Sequence, residues 1–293
     1  GGAFNNSGTL TVSNSTISGN TVGVFGGGIF NNGTLNIANS TLSGNTANFG
    51  GGIFNDSNST STISNSTFSA NSAVTLGGGL FNQKTNGIVG IVTLTNSTLS
   101  GNSARSNANS VISSGGIYND GTLNIANTII ANSTSGGDYL SSGGGTIGTN
   151  LNNLVEDGTL NNSTANSSGS GDISGDPNLA SLTNNGGPTE TMALLTGSPA
   201  IATGNATISN ASPVNGLDQR SYTRSSTAPS IGAFEGQNVA NTPTFGTPTS
   251  TADGFTVQIS NYDNNFTYGG TATAGGTVAI SGTGLVTVSG VAT

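Results

Sequence analysis

Short apolar segments alternate with small polar residues through the first half of the chain, and their period predicts β-strands. In the second unit the predicted strands include Leu35-Asn36-Ile37 and Thr41-Leu42-Ser43, where apolar and small polar residues alternate as in a strand with one buried face. Gly and Asn, which favour turns, separate these segments of three to five residues. No apolar period of 3.6 residues is present, and Asn, Gly, Ser and Thr are poor helix formers, so helices are not predicted.

Two motifs repeat in phase along this region. The first has glycines before an aromatic residue and Asn behind it, and is written GGAFNN, GGGIFNN, GGGIFND, GGGLFNQ and GGIYND, with its aromatic at Phe4, Phe30, Phe54, Phe81 and Tyr118. The second is written NSTISGN, NSTLSGN, NSTFSAN, NSTLSGN and NTIIAN. Units of about 25 residues are typical of solenoids and too short for a propeller blade. The sequence therefore predicts a right-handed, three-sheet parallel β-helix with one coil per unit.

Stacked coils place each residue about 4.8 Å from its counterpart in the next coil. Asparagines at equivalent corners can then hydrogen-bond along the axis as ladders. We expect one ladder at Asn31, Asn55, Asn82 and Asn119, and a second at Asn14, Asn39, Asn65, Asn96 and Asn127. The interior is assigned to Ile29, Ile53, Leu80 and Ile117. The aromatic residue is one position out of phase with these, which predicts a corner or an outer position.

The pattern changes three times along the chain. Residues 1–140 carry the repeats, with apparent loop insertions at 84–91 and 103–113. Residues 141–235 are expected to hold degraded coils and a C-terminal cap, and 236–244 a linker. In 245–293, alternating apolar residues such as Phe255, Val257 and Ile259 predict further strands of a different kind.

Composition narrows the classes of function. Charged residues make up 5% of the chain, against about 25% in an average domain, and the formal net charge is −8. The four basic residues cannot form the clusters that nucleic-acid binding requires, so no nucleic-acid partner is expected. No apolar run reaches the ~20 residues of a membrane span. The recurrence of apolar residues in fixed register argues against a disordered low-complexity chain.

The chain has no Cys and no His, which removes disulfides, Cys/His zinc sites and His-dependent nucleophiles. We expect no cofactor and no metal. A carbohydrate-active enzyme, either a polysaccharide lyase or a glycosidase, stays open as an alternative, with Asp56, Asp120 and Asp138 as candidate carboxylates. Asp56 and Asp120 are expected two coils apart, about 10 Å, slightly beyond the roughly 6.5–9.5 Å of inverting glycosidases. We therefore favour a non-enzymatic protein.

A Thr-x-Ser pattern recurs on one expected outward strand face. Its members are Thr16, Ser18, Thr41, Ser43, Thr67, Ser69, Thr98 and Ser100. Such an array could order water as an ice-binding face does, which gives a second alternative function. The simpler explanation is that β-branched hydroxyl residues fill a solvated strand face.

Opposite charges concentrate near the end of the second region, at Asp218, Arg220, Arg224 and Glu235. They could bind an anion or a metal. Because half of the basic residues of the chain lie here beside acids, we favour ion pairs that fix the terminal coil.

The repeat resembles those of the polymorphic outer membrane proteins and related bacterial right-handed β-helix surface proteins. The sequence DPNLASLTNNGGPTETMALLTGSPAI at 176–201, followed by DQRSYTR at 218–224 and IGAFE at 231–235, resembles the choice-of-anchor Q domain. It departs from that pattern at Ala202, Ser221 and Ser230, which puts the polar contacts of the cap in doubt. The final region is similar to half of an Ig-like repeat of bacterial surface proteins, which normally needs about 100 residues to close.

These resemblances imply an exported bacterial surface protein that is structural or adhesive and binds through its loops and lateral faces. Cell-surface glycans and the surfaces of host or neighbouring cells are the expected partners. The expected location is extracellular or at the bacterial cell surface. Because the sequence starts within a repeat unit, we expect a fragment that lacks its signal peptide and anchor.

Overall fold

The computed structural model describes residues 1–105, 113–141, 144–158, 160, 170–236, 243–260, 269–271 and 276–290. The chain divides into two compact units, Gly1–Gly236 and Gln237–Thr293. In the first unit, three long parallel sheets are built from strands that recur once per repeat. This confirms the predicted parallel β-helix with one coil per unit.

Sheet A contains the strands of the glycine–aromatic motif. In spatial order these are β1 (Phe4–Asn6), β4 (Ile29–Asn31), β8 (Ile53–Asn55), β12 (Leu80–Asn82), β18 (Ser114–Asn119) and β21 (Gly137–Ser141). In the first coil the register pairs Phe4 with Ile29 and Asn5 with Phe30. Phe4 therefore occupies the apolar position of the motif, and the sequence alignment of Phe4 with Phe30 was wrong by one residue.

Sheet B contains the strands that follow the motif. They are β2 (Thr9–Ser13), β5 (Thr34–Ala38), β9 (Thr60–Ser64), β15 (Ile91–Thr95), β19 (Thr122–Ala126) and β22 (Thr146–Leu151). From β2 to β19 every residue pairs with its counterpart without a register shift. A shift between Leu123 and Asn124 marks the pairing with β22. Five coils of sheet B are thus strictly in register.

Sheet C contains the strands of the NSTxSGN motif. They are β3 (Thr16–Ser18), β6 (Thr41–Ser43), β10 (Thr67–Ser69), β16 (Thr98–Ser100), β20 (Ile129–Ala131), β23 (Leu154–Val155) and β24 (Ile173–Ser174). A short fourth sheet joins sheet C back to sheet A and consists of β7 (Thr46–Phe49), β11 (Ser72–Leu76) and β17 (Ser103–Ala104). The remaining elements of this unit are the hairpin β13 (Lys84–Thr85) and β14 (Ile88–Val89) and the helix α1 (Ala206–Asn210).

The interior of the coils is a continuous apolar column, as predicted. Leu35, Leu42 and Ile53 are 0% exposed and Ile37 is 2% exposed, and all four belong to one core cluster. Burying a side chain of this size contributes roughly 1.5–3 kcal/mol. In the third coil the polar Ser61 takes the place of Leu35 in the register and donates a 2.7 Å hydrogen bond to Asn55 Oδ1.

The glycines of the motif let neighbouring coils approach closely. Gly50 has a φ of +64°, in the left-handed region that favours glycine. At Gly51, a Cβ would lie 2.5 Å from the carbonyl oxygens of both Gly78 and Ser72. Any side chain there would force the coils apart.

The aromatic residues stack along the outside of sheet A. Ring centroids are 5.6 Å apart for Phe30–Phe54, 4.8 Å for Phe54–Phe81 and 5.0 Å for Phe81–Tyr118. Although they lie outside the main core, Phe54, Phe81 and Tyr118 are buried. They are covered by residues that include Phe49, Leu76 and Leu140. The outer side of sheet A is therefore a second hydrophobic core.

Residues 176–236, which we call the overlay segment, pack along a lateral face of the β-helix, whereas the sequence predicted a cap on the terminal coil. The segment lies against the outer face of sheet C and reaches back to the second coil, where Thr41 donates a 2.6 Å hydrogen bond to the Glu190 carbonyl. Apolar residues secure it. Leu194, Ala200, Ile231 and Phe234 pack with Ile129, Ala131 and Leu154.

The second unit contains a four-stranded antiparallel sheet. In spatial order it consists of β25 (Thr249–Thr251), β26 (Gly254–Gln258), β28 (Leu285–Ser289) and β27 (Thr277–Ile280). Val257, Ile259, Val286 and Val288 form its buried cluster. This antiparallel sheet supports the Ig-like expectation in part.

Candidate functional site

An asparagine ladder joins sheets A and B at the corner of each coil. Asn31 Nδ2 donates to Asn55 Oδ1 (2.8 Å), Asn55 to Asn82 (2.9 Å), and Asn82 to Asn119 (2.8 Å). Asn6 extends the ladder by one coil, with a 2.7 Å bond to Asn31. The same amides also bond backbone carbonyls, for example Asn82 to Gly90. These residues satisfy the buried polar groups of the corner, so their role is structural.

The second expected ladder has a different role. Asn14, Asn39, Asn65, Asn96 and Asn127 have φ values between +44° and +50°. They form left-handed corners, which Asn tolerates better than most residues. Among the described residues, one hydrogen bond joins the side chains of two members of this row: Asn127 donates to Asn96 at 3.4 Å. Asn65 instead donates to the Leu217 carbonyl. The prediction of a side-chain ladder at these positions was wrong.

The actual second ladder lies six residues further along the same motif. Asn20 Nδ2 donates to Asn45 Oδ1, Asn45 to Asn71, and Asn71 to Asn102, at 2.9, 2.9 and 3.0 Å. A parallel row of Ser15, Ser40, Ser66 and Ser97 links backbone N–H groups to hydroxyls of the next coil. Both asparagines of the motif, at its first and last positions, recur in the sequence. The pattern alone did not show which Asn turned inward.

The Thr-x-Ser face of sheet C is not open to solvent over most of its length. Thr16 and Ser18 are exposed, but Thr41, Thr67 and Thr98 are at most 1% exposed beneath the overlay segment. The serines of the motif become more buried from coil to coil: Ser43 is half-buried, Ser69 is 7% exposed and Ser100 is 1% exposed. The expectation of an outward face is therefore wrong from the second coil onward. An ice-binding function cannot use these threonines.

Gln219 of the overlay segment holds these threonines in place. Its Oε1 accepts a 2.7 Å hydrogen bond from Thr67, and its Nε2 donates to Thr41 Oγ1 at 2.9 Å. Thr98 Oγ1 accepts a bond from the Ala233 N–H. Gln219 is 0% exposed. The threonine hydroxyls thus act as docking points for the chain itself.

The four clustered charges near the end of the overlay segment form two ion pairs. Arg220 donates two hydrogen bonds to Asp218 Oδ2, from Nε at 2.9 Å and from Nη2 at 2.6 Å. Arg224 pairs with Glu235 at 3.3 Å and also donates to Asn65 Oδ1 in the β-helix. Burial raises the pKa of Glu235, and the charge of Arg224 opposes that shift. Each charge of the cluster is paired within the overlay segment. The cluster therefore stabilises the packing of the segment, as expected for structural ion pairs. Its contact with Asn65 is on the lateral face of the β-helix.

The structure places the candidate carboxylates Asp56 and Asp120 on different coils. Asp56 and Asp120 follow Asn55 and Asn119, which are two coils apart in the register. Asp138 is buried and faces Asp157, with each carboxylate accepting the backbone N–H of the other residue. Burial raises the pKa of Asp138, and the charge of Asp157 adds to this. Among the described residues, no group of three or more acidic side chains is placed to hold a metal ion.

Two exposed surfaces of the described β-helix are candidates for binding. The first is the outer face of sheet B, where Thr9, Thr34, Thr60 and Ile91 are exposed. The second is the hairpin β13–β14, which corresponds to the predicted insertion 84–91. Its tip is exposed at Asn86 and Gly87, and Ile88 is 53% exposed. The other predicted insertion, 103–113, lies outside the described residues at 106–112.

Searches of protein-family models, curated protein sequences and solved structures found no match for this chain. No helix in the described part of the chain is long and apolar enough to cross a membrane. The fold is thus established by the strand register, and the functional conclusions rest on the surfaces described above.

Proposed function

We propose that this chain is part of an exported bacterial surface protein, a stiff β-helical stalk that adheres to other surfaces without catalysing a reaction. The resemblance of its repeats to polymorphic outer membrane proteins and of the overlay segment to the choice-of-anchor Q domain supports this assignment. A solenoid of stacked coils also provides an extended surface suited to binding. Cell-surface glycans and neighbouring or host cells are the proposed partners.

The observation that carries the proposal is the closure of two lateral faces by the chain itself. The overlay segment covers sheet C, and the aromatic stack with its covering residues seals sheet A. Hydrogen bonds such as those of Gln219 with Thr41 and Thr67 hold the covering layer on sheet C, so these two faces serve the fold itself. Adhesive contacts are assigned to the hairpin β13–β14, where Lys84 pairs with Val89 and Thr85 pairs with the exposed Ile88.

A glycan array probed with the labelled chain tests this proposal. We expect binding without release of products, and a reduced signal for the double variant Lys84→Ser/Ile88→Ser. Val74→Ser is the matched control, because Val74 is similarly exposed at 48% and lies on β11, away from the hairpin. An equal loss for the control would contradict the assignment to the hairpin.

The same experiment distinguishes the enzyme alternative. Any polysaccharide that gives a signal is incubated with the chain, and its products are separated by chromatography. Turnover that is lost in Asp56→Asn or Asp120→Asn would overturn the non-enzymatic proposal. Surface location is tested with an antibody against residues 1–236, which should label intact cells that express the complete protein.

A further inference from the structure

The outer face of sheet B is a regular array of small uncharged side chains. Its first row comprises Thr9, Thr34, Thr60, Ile91 and Thr122, and its second row Thr11, Asn36, Thr62, Thr93 and Asn124. All ten are exposed or half-buried. Seven of the ten positions are threonine, and none is charged. This array is distinct from the Thr-x-Ser face of sheet C, which the overlay segment covers.

The register fixes the spacing of this array. Neighbouring coils lie about 4.8 Å apart, and residues i and i+2 of one strand lie about 6.6 Å apart. Five coils with two such positions each therefore form a lattice of roughly 7 by 19 Å. Because no register shift interrupts β2 to β19, the lattice has no defect over that length.

At seven of the ten lattice points, threonine supplies a fixed pair of chemical groups. Its β-branched side chain is restricted at χ1, so the hydroxyl and the methyl group hold their positions. The hydroxyl can donate one hydrogen bond and accept two, much as a water molecule does. Neighbouring coils also bond through this face: Asn124 donates to the Thr93 hydroxyl at 3.4 Å, and the Thr122 hydroxyl lies 3.3 Å from that of Thr146 on β22. Methyl groups between them restrict the orientation of adjacent water.

The partner of such a face must itself be periodic and uncharged. With no ionisable side chain among its outward positions, the face offers nothing to an anionic or cationic ligand. It also carries no aromatic ring on which a sugar could stack, and Ile91 is the one large apolar side chain in the two rows. An ordered water lattice satisfies every requirement, since it presents donors and acceptors at fixed intervals without charge.

We propose that the outer face of sheet B binds the surface of ice. The threonine hydroxyls bond lattice waters, and the methyl groups hold water between the rows. The central coil, with Thr60 and Thr62 on β9, contributes most because it has lattice neighbours on both sides. This inference does not depend on the adhesive function of the hairpin.

Thermal hysteresis and inhibition of ice recrystallisation test the proposal on the full 293-residue chain. We expect both activities in the unmodified chain and their loss in Thr60→Lys, with the same loss in the independent variant Thr34→Lys. A charged side chain keeps its own hydration shell and holds the face away from the lattice. Thr60→Val keeps the methyl groups and should retain more activity than Thr60→Ser.

Thr16→Lys is the matched control, because Thr16 is an exposed strand threonine on sheet C and the substitution changes the net charge equally. It should leave both activities unchanged. Circular dichroism and the unfolding midpoint of each variant establish that the fold is intact. The proposal is overturned if the unmodified chain has no ice activity, or if Thr16→Lys and Thr60→Lys reduce it equally. A change in oligomeric state or glycan binding without an effect on ice would also overturn it.

Discussion

Thr67 donates a 2.7 Å hydrogen bond to Gln219, which lies 152 residues further along the chain, and both side chains are 0% exposed. This bond joins the third coil of the β-helix to the overlay segment. It shows that the recurring threonine of the NSTxSGN motif serves the interior of the folded chain on these coils. The outward surfaces proposed here for binding therefore lie elsewhere on the β-helix.

Replacing Gln219 should loosen the overlay segment. In Gln219→Leu the buried Thr67 hydroxyl has no acceptor, and an unsatisfied group of this kind costs about 1–3 kcal/mol. We expect a drop of at least that size in the free energy of unfolding, measured with denaturant, and faster proteolysis within residues 176–236. Gln83→Leu, at a half-buried corner, should change the free energy by less than about 0.5 kcal/mol. Similar losses in both variants would show that Gln219 is not an anchor.

The two kinds of asparagine should respond differently to substitution. Asn55→Ala removes a ladder member that bonds Asn31, Asn82 and Ser61, and each orphaned group costs roughly 1–3 kcal/mol. Asn39→Gly should be close to neutral, because glycine adopts the φ of +50° freely. Asn39→Ala should cost about 1–2 kcal/mol, the penalty for a left-handed residue with a Cβ. Unfolding free energies measure all three, and a large loss in Asn39→Gly would restore a ladder role for the corner row.

The aromatic stack should contribute as much as a conventional core. Phe54 is 1% exposed and stacked between Phe30 and Phe81. Phe54→Ala should destabilise the first unit by about 3–5 kcal/mol and reduce the near-ultraviolet dichroism of the rings. Phe4→Ala, at a position that is 41% exposed, is the control and should have a much smaller effect. A small effect at Phe54 would mean that the outer layer adds little to stability.

Asp138 should make stability depend on pH. Burial raises its pKa above 3.8 in the folded state, so the folded protein holds this proton more tightly than the unfolded chain. The stabilisation is complete below 3.8 and is lost as the pH rises through the folded pKa. The test is to measure the unfolding free energy against pH for the protein and for Asp138→Asn. The difference isolates Asp138 from Glu235, whose pKa is also raised, and identical curves would contradict the assignment.

Much of the candidate surface could be predicted only in outline. The repeat located the corners, the interior and the hairpin at 84–91, because those features recur or interrupt a recurrence. It also identified rows of threonine, but two sheets carry such rows. Whether Thr60 on sheet B or Thr67 on sheet C remains exposed depends on where residues 176–236 pack, and that segment has no internal repeat from which its course could be read.

The sequence by itself determined the coil. A unit of about 25 residues with period-two alternation has one economical arrangement, in which each side chain stacks on its own copy and the ladder amides satisfy one another. The tertiary structure alone decided which faces stay open. Closure of sheet C depends on contacts such as Gln219 with Thr41 and Arg224 with Asn65, between residues more than 150 positions apart. Such pairs leave no local pattern, because their energy comes from burial and hydrogen bonds that exist only after the chain has folded back on itself.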